Sequence, residues 1–498
     1  MTVFVVDLLN GSDAIIGGGP LKNVLQVSIT ETLDEAGQIQ FTVPATDYIA
    51  SQIIGAAARF RVRFDDGRLV YGLIGKDMIN VGSAQPIRTV TGQDLIGELA
   101  NYSCGWWCFY DTDDLNTVVL PGLLSGTGWS AGTFDASMGD FYGRFDGDSR
   151  LSALIKVIQQ TPGIHFRMGS TIRTLDVGAF ATLSTTRFTN VDHALVSQDG
   201  NTDIAIIGSL QITNDRAPIV NRIIPWGAGS DNGDTNRAKV KLFQLDRADT
   251  TRWSNIKAKP GLRGVQVTVT GINETGGHHW EVNTTTGLRE LPISQLIWCD
   301  NPADLTDSYG YDFVVNDILS STKLTINGSP TITPSEPSSF PTYLISDPQL
   351  YMEDATAYAD DPHEAVIVFN DITLTNLTSG SWAKGAVQLY NRAKRYLDDH
   401  KIAQTTYTLT AVRCPDSVRV GDKVRVIYRG AVTMYGIIYN WVNIDVELFV
   451  TKITRVYNAD GSTSAALDVS NIARRPINDS EYVYDNAAQV HSINRAAG

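Results

Sequence analysis

The sequence predicts an α+β fold that is mainly β, with two small antiparallel β-barrels or sandwiches flanking a mixed α/β middle region that carries a β-rich insertion. Short segments with an apolar residue at every second position recur near both ends of the 498-residue chain. This alternation is typical of strands with one buried face. Long helical stripes occur only in the middle of the chain, on either side of a segment with few helical signals. At about 150 residues per domain, the length allows about three domains.

The first barrel is predicted from two hairpins. One alternates apolar and polar residues over 25–43 and turns at Gly37. The other runs from 59 to 74 and turns at an Asp-Asp-Gly sequence. Both patterns are typical of antiparallel strand pairs with a tight connection.

Similar hairpins near the C-terminus predict the second barrel. One spans 423–438, and in the other Ile453 precedes Gly461 by eight residues, as Ile29 precedes Gly37. The two hairpins come in opposite order in the two copies. Hairpin chemistry alone produces short matches of this kind, so chance remains an alternative to internal duplication.

The middle region carries the helices. Ser149 is placed to cap the first helix, and the second is predicted over 381–400 with Leu389 and Ala393 in its buried stripe. A third, short helix is predicted over 350–358. The second helix is expected to anchor the α/β region against the second barrel.

The segment 236–345 is predicted to be an extra β unit with a hairpin over 322–332 that turns on Asn327 and Gly328. The predicted units are a first barrel over 1–100, an α/β region over 101–235 that is able to return strands to the first barrel, the insertion over 236–345, the α/β region continued over 346–403, a second barrel over 404–475 and a C-terminal tail over 476–498.

Composition excludes several classes of protein. There are 40 Lys and Arg against 54 Asp and Glu, a net charge of −14, which disfavours a protein that grips nucleic acid through its phosphates. Four Cys in 498 residues cannot form a disulfide framework. The N-terminus lacks a basic signal-peptide region, and no apolar run is long enough for a membrane span, so neither is expected.

Candidate catalytic and ligand motifs lack the context that their chemistry needs. Ser130 lies in a Gly-x-Ser-x-Gly sequence, but no helical stripe follows it and nothing orders His165 or His193 beside it. Adjacent His278 and His279 would point to opposite faces of a strand. Gly227 begins a glycine-rich loop with no helix after it. The sequence therefore predicts no catalytic residue, no metal and no cofactor.

Two strand faces are basic. They lack the interleaved aromatic residues of a nucleic-acid site and lie in an acidic protein, so they are predicted to be either a solvated sheet face or a surface that forms salt bridges with a neighbouring subunit. The residues proposed for this subunit interface are Arg59, Arg61, Arg63, Arg419 and Arg425.

The order of these pieces resembles the tail-tip and baseplate hub proteins of tailed bacteriophages, a family that includes the N-terminal hub part of tail-associated lysins. The resemblance covers most of the chain apart from about 236–345 and the last twenty-odd residues. The matching segments are the hairpin Val27 to Pro44, the glycine-rich run Leu124 to Thr133, the helix and strand from Ser152 to Phe166, the strand and turn from Val220 to Gly229, the looser matches 351–359 and 365–372, and the helix Trp382 to Leu397 followed by 420–424.

The resemblance implies a structural virion protein at the tail tip and no enzymatic activity. It implies a homotrimer whose six barrels match a sixfold tail tube, adapt it to a threefold fibre or spike, and gate the DNA channel. Its implied partners are a distal tail or tail-tube protein ring, a tail fibre or spike protein and a tape-measure protein. Genome DNA would pass without specific binding through a lumen expected to be mostly acidic.

Two other functions stay open. A cell-wall hydrolase of the tail tip would use the middle region, although only 22 residues follow Pro476, too few for the hydrolase domain of the lysins. A host-glycan-binding adhesin module would lie in 236–345, where Trp253, Trp280 and Trp298 are available to stack on sugar rings.

Overall fold

The computed structural model describes residues 4–474 with internal gaps, and for the strands between 265 and 345 it describes the backbone. The gaps are 22, 48–49, 51–56, 83–84, 106–107, 192–202, 217–218, 229–239, 243–244, 246–257, 265–266, 277–278, 285–295, 301–310, 321–322, 328–342, 346–349, 375–378 and 435–436.

The described residues form 28 strands. Those before the insertion are β1 Phe4–Leu9, β2 Gln26–Thr32, β3 Gln38–Pro44, β4 Arg59–Phe64, β5 Leu69–Leu73, β6 Lys76–Asn80, β7 Ile87–Gln93, β8 Cys108–Asp114, β9 Ser130–Phe134, β10 Asp140–Phe145, β11 His165–Met168, β12 Thr174–Gly178, β13 Leu183–Thr189, β14 Ile204–Asp215 and β15 Arg222–Gly227. The later strands are β16 Leu262–Gly264, β17 Val267–Gly276, β18 His279–Thr284, β19 Leu296–Asp300, β20 Tyr311–Ser320, β21 Lys323–Asn327, β22 Tyr343–Ile345, β23 Leu350–Glu353, β24 Glu364–Phe369, β25 Gln404–Ala411, β26 Lys423–Met434, β27 Ile437–Asn458 and β28 Thr463–Ser470.

Helices are few in the same ranges. They are α1 Leu120–Leu124, α2 Arg150–Gln159, α3 Ala355–Asp360 and α4 Ser379–His400, together with a 3-10 helix at Leu95–Asn101 and a π-helical turn at Leu115–Val119. The α+β, mainly β class is therefore confirmed. Among the described residues, no helix combines the length and the apolar character that crossing a bilayer requires.

A ten-stranded sheet joins strands from both ends of the chain, in the order β26-β13-β14-β25-β28-β27-β2-β3-β7-β6. The eight strands from β14 to β6 are antiparallel throughout. The predicted hairpins over 25–43 and 59–74 and the one that turns at Gly461 are confirmed. The hairpin over 423–438 was expected to turn after Gly430, and this is wrong, because β26 continues to Met434 and Gly430 lies within it opposite Val442 of β27. One face of this sheet covers two hydrophobic cores, one in the N-terminal part and one in the C-terminal part.

The described residues also form four smaller sheets. Their orders are β1-β4-β5, β10-β8, β11-β12-β9 and β16-β23-β15-β24. In the insertion, β17-β18-β21-β20-β19-β22 close into a six-stranded barrel. Of the hairpin predicted over 322–332, the described residues 323–327 form β21, which pairs with β18 on one side and with β20 on the other. Gly328 and the rest of that hairpin lie outside the described residues.

The cap of α2 is confirmed, since the Ser149 side chain accepts a hydrogen bond from the Ser152 amide. The third helix, predicted over 350–358, is wrong in its first part and confirmed in its second. Its first residues form β23, because the alternating Leu350 and Met352 are buried between two other strands. Helix α3 begins only after Asp354, whose carboxylate caps it.

Leu389 and Ala393 of α4 are fully buried, as predicted. They belong to a core shared with the sheet that contains β15 and β23, and α4 also contacts β10. The expectation that this helix anchors the α/β region against the second barrel is therefore wrong. Its apolar stripe faces the middle region itself, because β15, β23 and β24 supply the apolar surface that covers it.

Candidate subunit interface

The eight antiparallel strands consist of two sets of four with the same connectivity. The first set lies in the order β2-β3-β7-β6 and the second in the order β14-β25-β28-β27. In each set, the fourth strand along the chain lies between the second and the third. In both sets a hairpin precedes the third strand. It is β4–β5 in the first set, and β26 with the first part of β27 in the second. The repeat therefore matches β2–β3 with β14–β25, and not with β27–β28 as the sequence match suggested.

The two sets differ in their flanking strand. β1 runs antiparallel to β4, whereas β13 runs parallel to β26 and to the first three residues of β14. The repeat is thus complete for the four sheet strands and looser around them.

Polar side chains cover the face of this sheet opposite the core. They form hydrogen bonds between neighbouring strands, including the Thr30 and Thr454 hydroxyls at 3.0 Å and the Ser209 and Thr410 hydroxyls at 2.7 Å. On that face of the eight strands, the charged residues are Lys76, Asp215, Asp445, Glu447, Lys452 and Asp468. The surface is thus rich in hydroxyl and amide groups, and its four acidic residues outnumber its two lysines.

Arg61 and Arg63 converge on one buried carboxylate. Asp7 lies on β1, directly opposite Arg61 of β4, and its side chain is fully buried. Arg61 Nη2 and Arg63 Nε each donate to Asp7 Oδ2 at 2.7 Å. Burial raises the pKa of Asp7, but the hydrogen bonds and charges of the two arginines outweigh it and hold the pKa below the ordinary 3.8.

Arg59 belongs to a second cluster of ion pairs. Its guanidinium donates to the buried carboxylate of Glu98 and, at 3.0 Å, to Asp13. Arg173 donates to the same two carboxylates, each at 2.8 Å. This cluster ties β4 to the 3-10 helix and to the turn before β12, so Arg59 is used inside the chain.

Arg419 and Arg425 lie apart from these clusters. Arg419 donates to the Met168 carbonyl and lies 3.5 Å from Asp176, and burial together with nearby Arg167 lowers its pKa. Arg425 Nε donates to Asp445 Oδ1 at 2.7 Å, and both side chains stay partly exposed. Arg425 was expected to form a salt bridge with a neighbouring subunit, and this ion pair lies within its own chain.

The structure therefore brings Arg61 and Arg63 together and leaves Arg419 and Arg425 in separate environments. It also adds two acidic residues, Asp7 and Glu98, which the sequence reasoning missed. An aspartate within the apolar run 3–9 was a signal for Asp7, because a buried carboxylate needs cationic partners.

Ser130 and His165 are not arranged as a nucleophile and its base. Ser130 is an exposed residue at the start of β9, opposite Thr174 of β12, and β9 is not followed by a helix. His165 lies on the other side of β12, opposite Gly178 at its far end. Its buried ring bonds Asp34, with Nδ1 2.6 Å from Oδ2. Hydrogen-bond contact between the serine and this histidine is excluded.

We expect Ser130→Ala to leave the protein unchanged, because the side chain is at the surface and such substitutions usually shift the free energy of unfolding by no more than about 0.5 kcal/mol. Peptidoglycan turnover and thermal unfolding of the wild type and of Ser130→Ala, with Ser137→Ala alongside, measure this. Hydrolysis by the wild type that Ser130→Ala abolishes and Ser137→Ala does not would overturn it.

The other candidate ligand residues give no composite site within the described residues. No group of three or more His, Cys, Asp or Glu side chains there could hold a metal ion. Cys104, Cys108 and Cys414 are free thiols. Gly227 ends strand β15, while His193, His278 and Trp253 lie outside the described residues, as do the side chains of His279, Trp280 and Trp298.

No protein-family model and no curated protein matches the chain. Among solved structures, it is similar to a tail protein from Neisseria meningitidis, with 14% identity, 94% of this chain and 96% of that chain covered, and a TM-score of 0.45. It is also similar to the 43 kDa tail protein of prophage MuSo2 from Shewanella oneidensis, with 12% identity, 94% of this chain and 98% of that chain covered, and a TM-score of 0.46. For prophage tail protein gp18 from Listeria monocytogenes the identity is 10%, 99% of each chain is covered, and the TM-score is 0.45. Likenesses of this size assign no function to the chain.

Proposed function

We propose that this chain is a structural hub protein of a phage tail tip. Three copies form a ring at the distal end of the tail tube, adapt its sixfold symmetry to a threefold fibre or spike, and gate the channel through which the genome leaves. Its neighbours are a distal tail or tail-tube ring, a fibre or spike protein and a tape-measure protein. The proposal starts from the resemblance of the sequence segments to the hub family.

The single observation that carries the proposal is the repeat of four strands within one continuous antiparallel sheet. Two equivalent sets in one chain give six in a trimer. If the six sets join edge to edge around the ring, the sheet closes on itself and no strand edge is left exposed. Six similar units around a threefold assembly are what an adaptor between sixfold and threefold partners needs.

The polar face of the sheet suits the wall of the channel. Its hydroxyl and amide groups offer no run of cations to bind phosphates, and its few charges are of both signs. Acidic residues outnumber lysines on this face, which has the sign expected of the lumen from the sequence. The lumen of the proposed ring lets DNA slide because it offers the phosphates few cations and carries a small excess of acidic groups.

The five arginines fit this ring in different ways. Arg59, Arg61 and Arg63 are in β4 and Arg419 precedes β26, so these four lie off the polar face of the eight strands. Arg425 of β26 lies beside that face, opposite Glu447 of β27. Arg59 and Arg419 serve contacts inside the chain. Arg63 and Arg425 keep part of their side chains exposed and remain our candidates for a contact with a neighbouring subunit.

Light scattering on the purified full-length chain tests the proposal. A hub trimer has a mass of about 163 kDa, three times the 54.3 kDa of one chain. A stable mass near that of one or two chains, at every concentration measured, contradicts it. Peptidoglycan turnover in the same preparation would favour the hydrolase instead.

A further inference from the structure

We infer that the outer edge of β6 in one chain pairs with the outer edge of β14 in the next chain, in the register of the β27–β2 junction inside each chain. The inference rests on the proposed ring and names the strands and residues that close it. The occupant of each edge is thus a second copy of this chain.

The repeat defines which residues of the two sets are equivalent. When the registers of all four strands are matched, β2 falls on 209–215, β6 on 452–456 and β7 on 464–470, within the bounds of β14, β27 and β28, and β3 falls on 406–412, one residue past the end of β25. Neighbouring core residues then coincide. The matching rows are Val27, Phe41 and Val90 in the first set and Leu210, Leu409 and Leu467 in the second.

The fourth strands extend these rows. Asp77 of β6 lies opposite Val90, and Ile453 of β27 lies opposite Leu467, so Asp77 and Ile453 are equivalent. Two residues further along, Ile79 is the equivalent of Arg455. On the first strands, Val27 of β2 matches Leu210 of β14. Two residues further along, Ile29 therefore matches Ile212.

The internal junction then gives the register between chains. Inside one chain, Arg455 of β27 lies opposite Ile29 of β2. In the contact between chains, Ile79 therefore lies opposite Ile212. One residue away on the polar face, Met78 faces Thr213, as Thr454 faces Thr30 inside the chain.

Burial supports this match. At the internal junction Ile29 is 6% exposed and Arg455 is 3% exposed. At the two outer edges, the equivalent residues Ile79 and Ile212 are 50% and 42% exposed. Two large aliphatic side chains at positions that are buried in the repeat indicate surfaces that another strand covers.

Both edges can accept a strand. β6 is the last strand of the ten-stranded sheet, and β13 pairs with β14 only as far as Ile206. In the parts of the chain that the structure describes, no strand pairs with the outer side of β14 over 207–215. The predicted contact uses 211–215, which is within that stretch.

Charge also favours this pairing. The register places Lys76 at one end of β6 opposite Asp215 at the end of β14. Opposite charges across an antiparallel pair are stabilising. A β6–β6 pair would make a twofold dimer that cannot extend into a ring.

Cysteine cross-linking tests the register. The full-length double variant Met78→Cys/Thr213→Cys, under mild oxidation, should give covalent trimers on a non-reducing gel. Thr30→Cys/Thr454→Cys is the matched control inside the chain, where the two native hydroxyls are 3.0 Å apart. It should lose two thiols and still run as a monomer on the gel. Met78→Cys/Ser209→Cys is the off-register control, with the two positions about 14 Å out of line at about 3.4 Å per residue.

The outcomes separate the two proposals. Covalent trimers from the first variant, with none from the off-register one, support the inference. Trimers by light scattering that fail to cross-link at 78 and 213, that cross-link through Ser209→Cys, or that form covalent dimers from Met78→Cys alone overturn the register and leave the ring intact. A chain that stays monomeric overturns the proposed function and the inference together.

Discussion

Asp7→Ala should lower the free energy of unfolding by about 3 kcal/mol or more. Removing one partner of a buried ion pair usually costs about 3–5 kcal/mol because the remaining charge is left without compensation. Here two guanidinium groups, those of Arg61 and Arg63, lose the carboxylate that they share. Both are partly exposed, so water replaces some of the lost interaction and the lower end of the range is expected.

Denaturant unfolding of Asp7→Ala measures this loss. Asp445→Ala is the control, since Asp445 pairs with Arg425 at the surface, where ion pairs contribute about 0–1 kcal/mol. Equal losses in the two variants would show that burial does not decide the strength of the Asp7 cluster.

The same carboxylate should make the protein sensitive to acid. Its pKa is lower in the folded chain than the ordinary 3.8, so its contribution to stability is complete above that value and is lost as the pH falls through the lower folded pKa. Below about pH 4, we expect the free energy of unfolding of Asp7→Asn to fall less steeply with decreasing pH than that of the wild type. Identical slopes would contradict a depressed pKa.

Leu389→Ala is expected to cost about 2–5 kcal/mol, the range for a leucine removed from a close-packed core. Leu389 is fully buried in the core that α4 shares with the sheet containing β15 and β23. On the same helix Val387 is exposed, so Val387→Ala is a matched control that should change the free energy of unfolding by no more than about 0.5 kcal/mol.

Urea unfolding of both α4 variants gives the comparison. A loss below about 1 kcal/mol for Leu389→Ala would mean that the neighbours of this side chain collapse into the space it leaves. Equal losses at 387 and 389 would show that the apolar stripe has been assigned to the wrong face of the helix.

Local pattern was enough to predict the strands, since alternation shows which face of a strand is buried. The hairpins of β2–β3 and β4–β5, the cap of α2 and the buried stripe of α4 follow from residues close together in the chain. Leu350 and Met352 were assigned to a helix because a run of four residues fits either period.

The repeat itself was not visible, for a physical reason. Every hairpin with one buried face carries the same alternation, so β2–β3 matched β27–β28 as readily as it matches its structural counterpart β14–β25. Between β14 and β25 the chain inserts 188 residues, from 216 to 403. Only the order of hydrogen-bonded strands shows that the two sets correspond.

The interface residues illustrate the same limit. The alternating arginines of β4 mark a charged face, but their partner Asp7 comes from β1, fifty-four residues before Arg61. Ile79 and Ile212 look like ordinary strand residues until the sheet order places both at its edges.

Electron cryo-microscopy of the purified oligomer tests the central claim most directly. The account predicts a threefold ring in which one continuous antiparallel sheet surrounds an open channel and repeats six times, with Thr30 and Thr454 on the channel wall. A closed assembly with another number of chains, or one in which the polar face of this sheet points away from the channel, would contradict it.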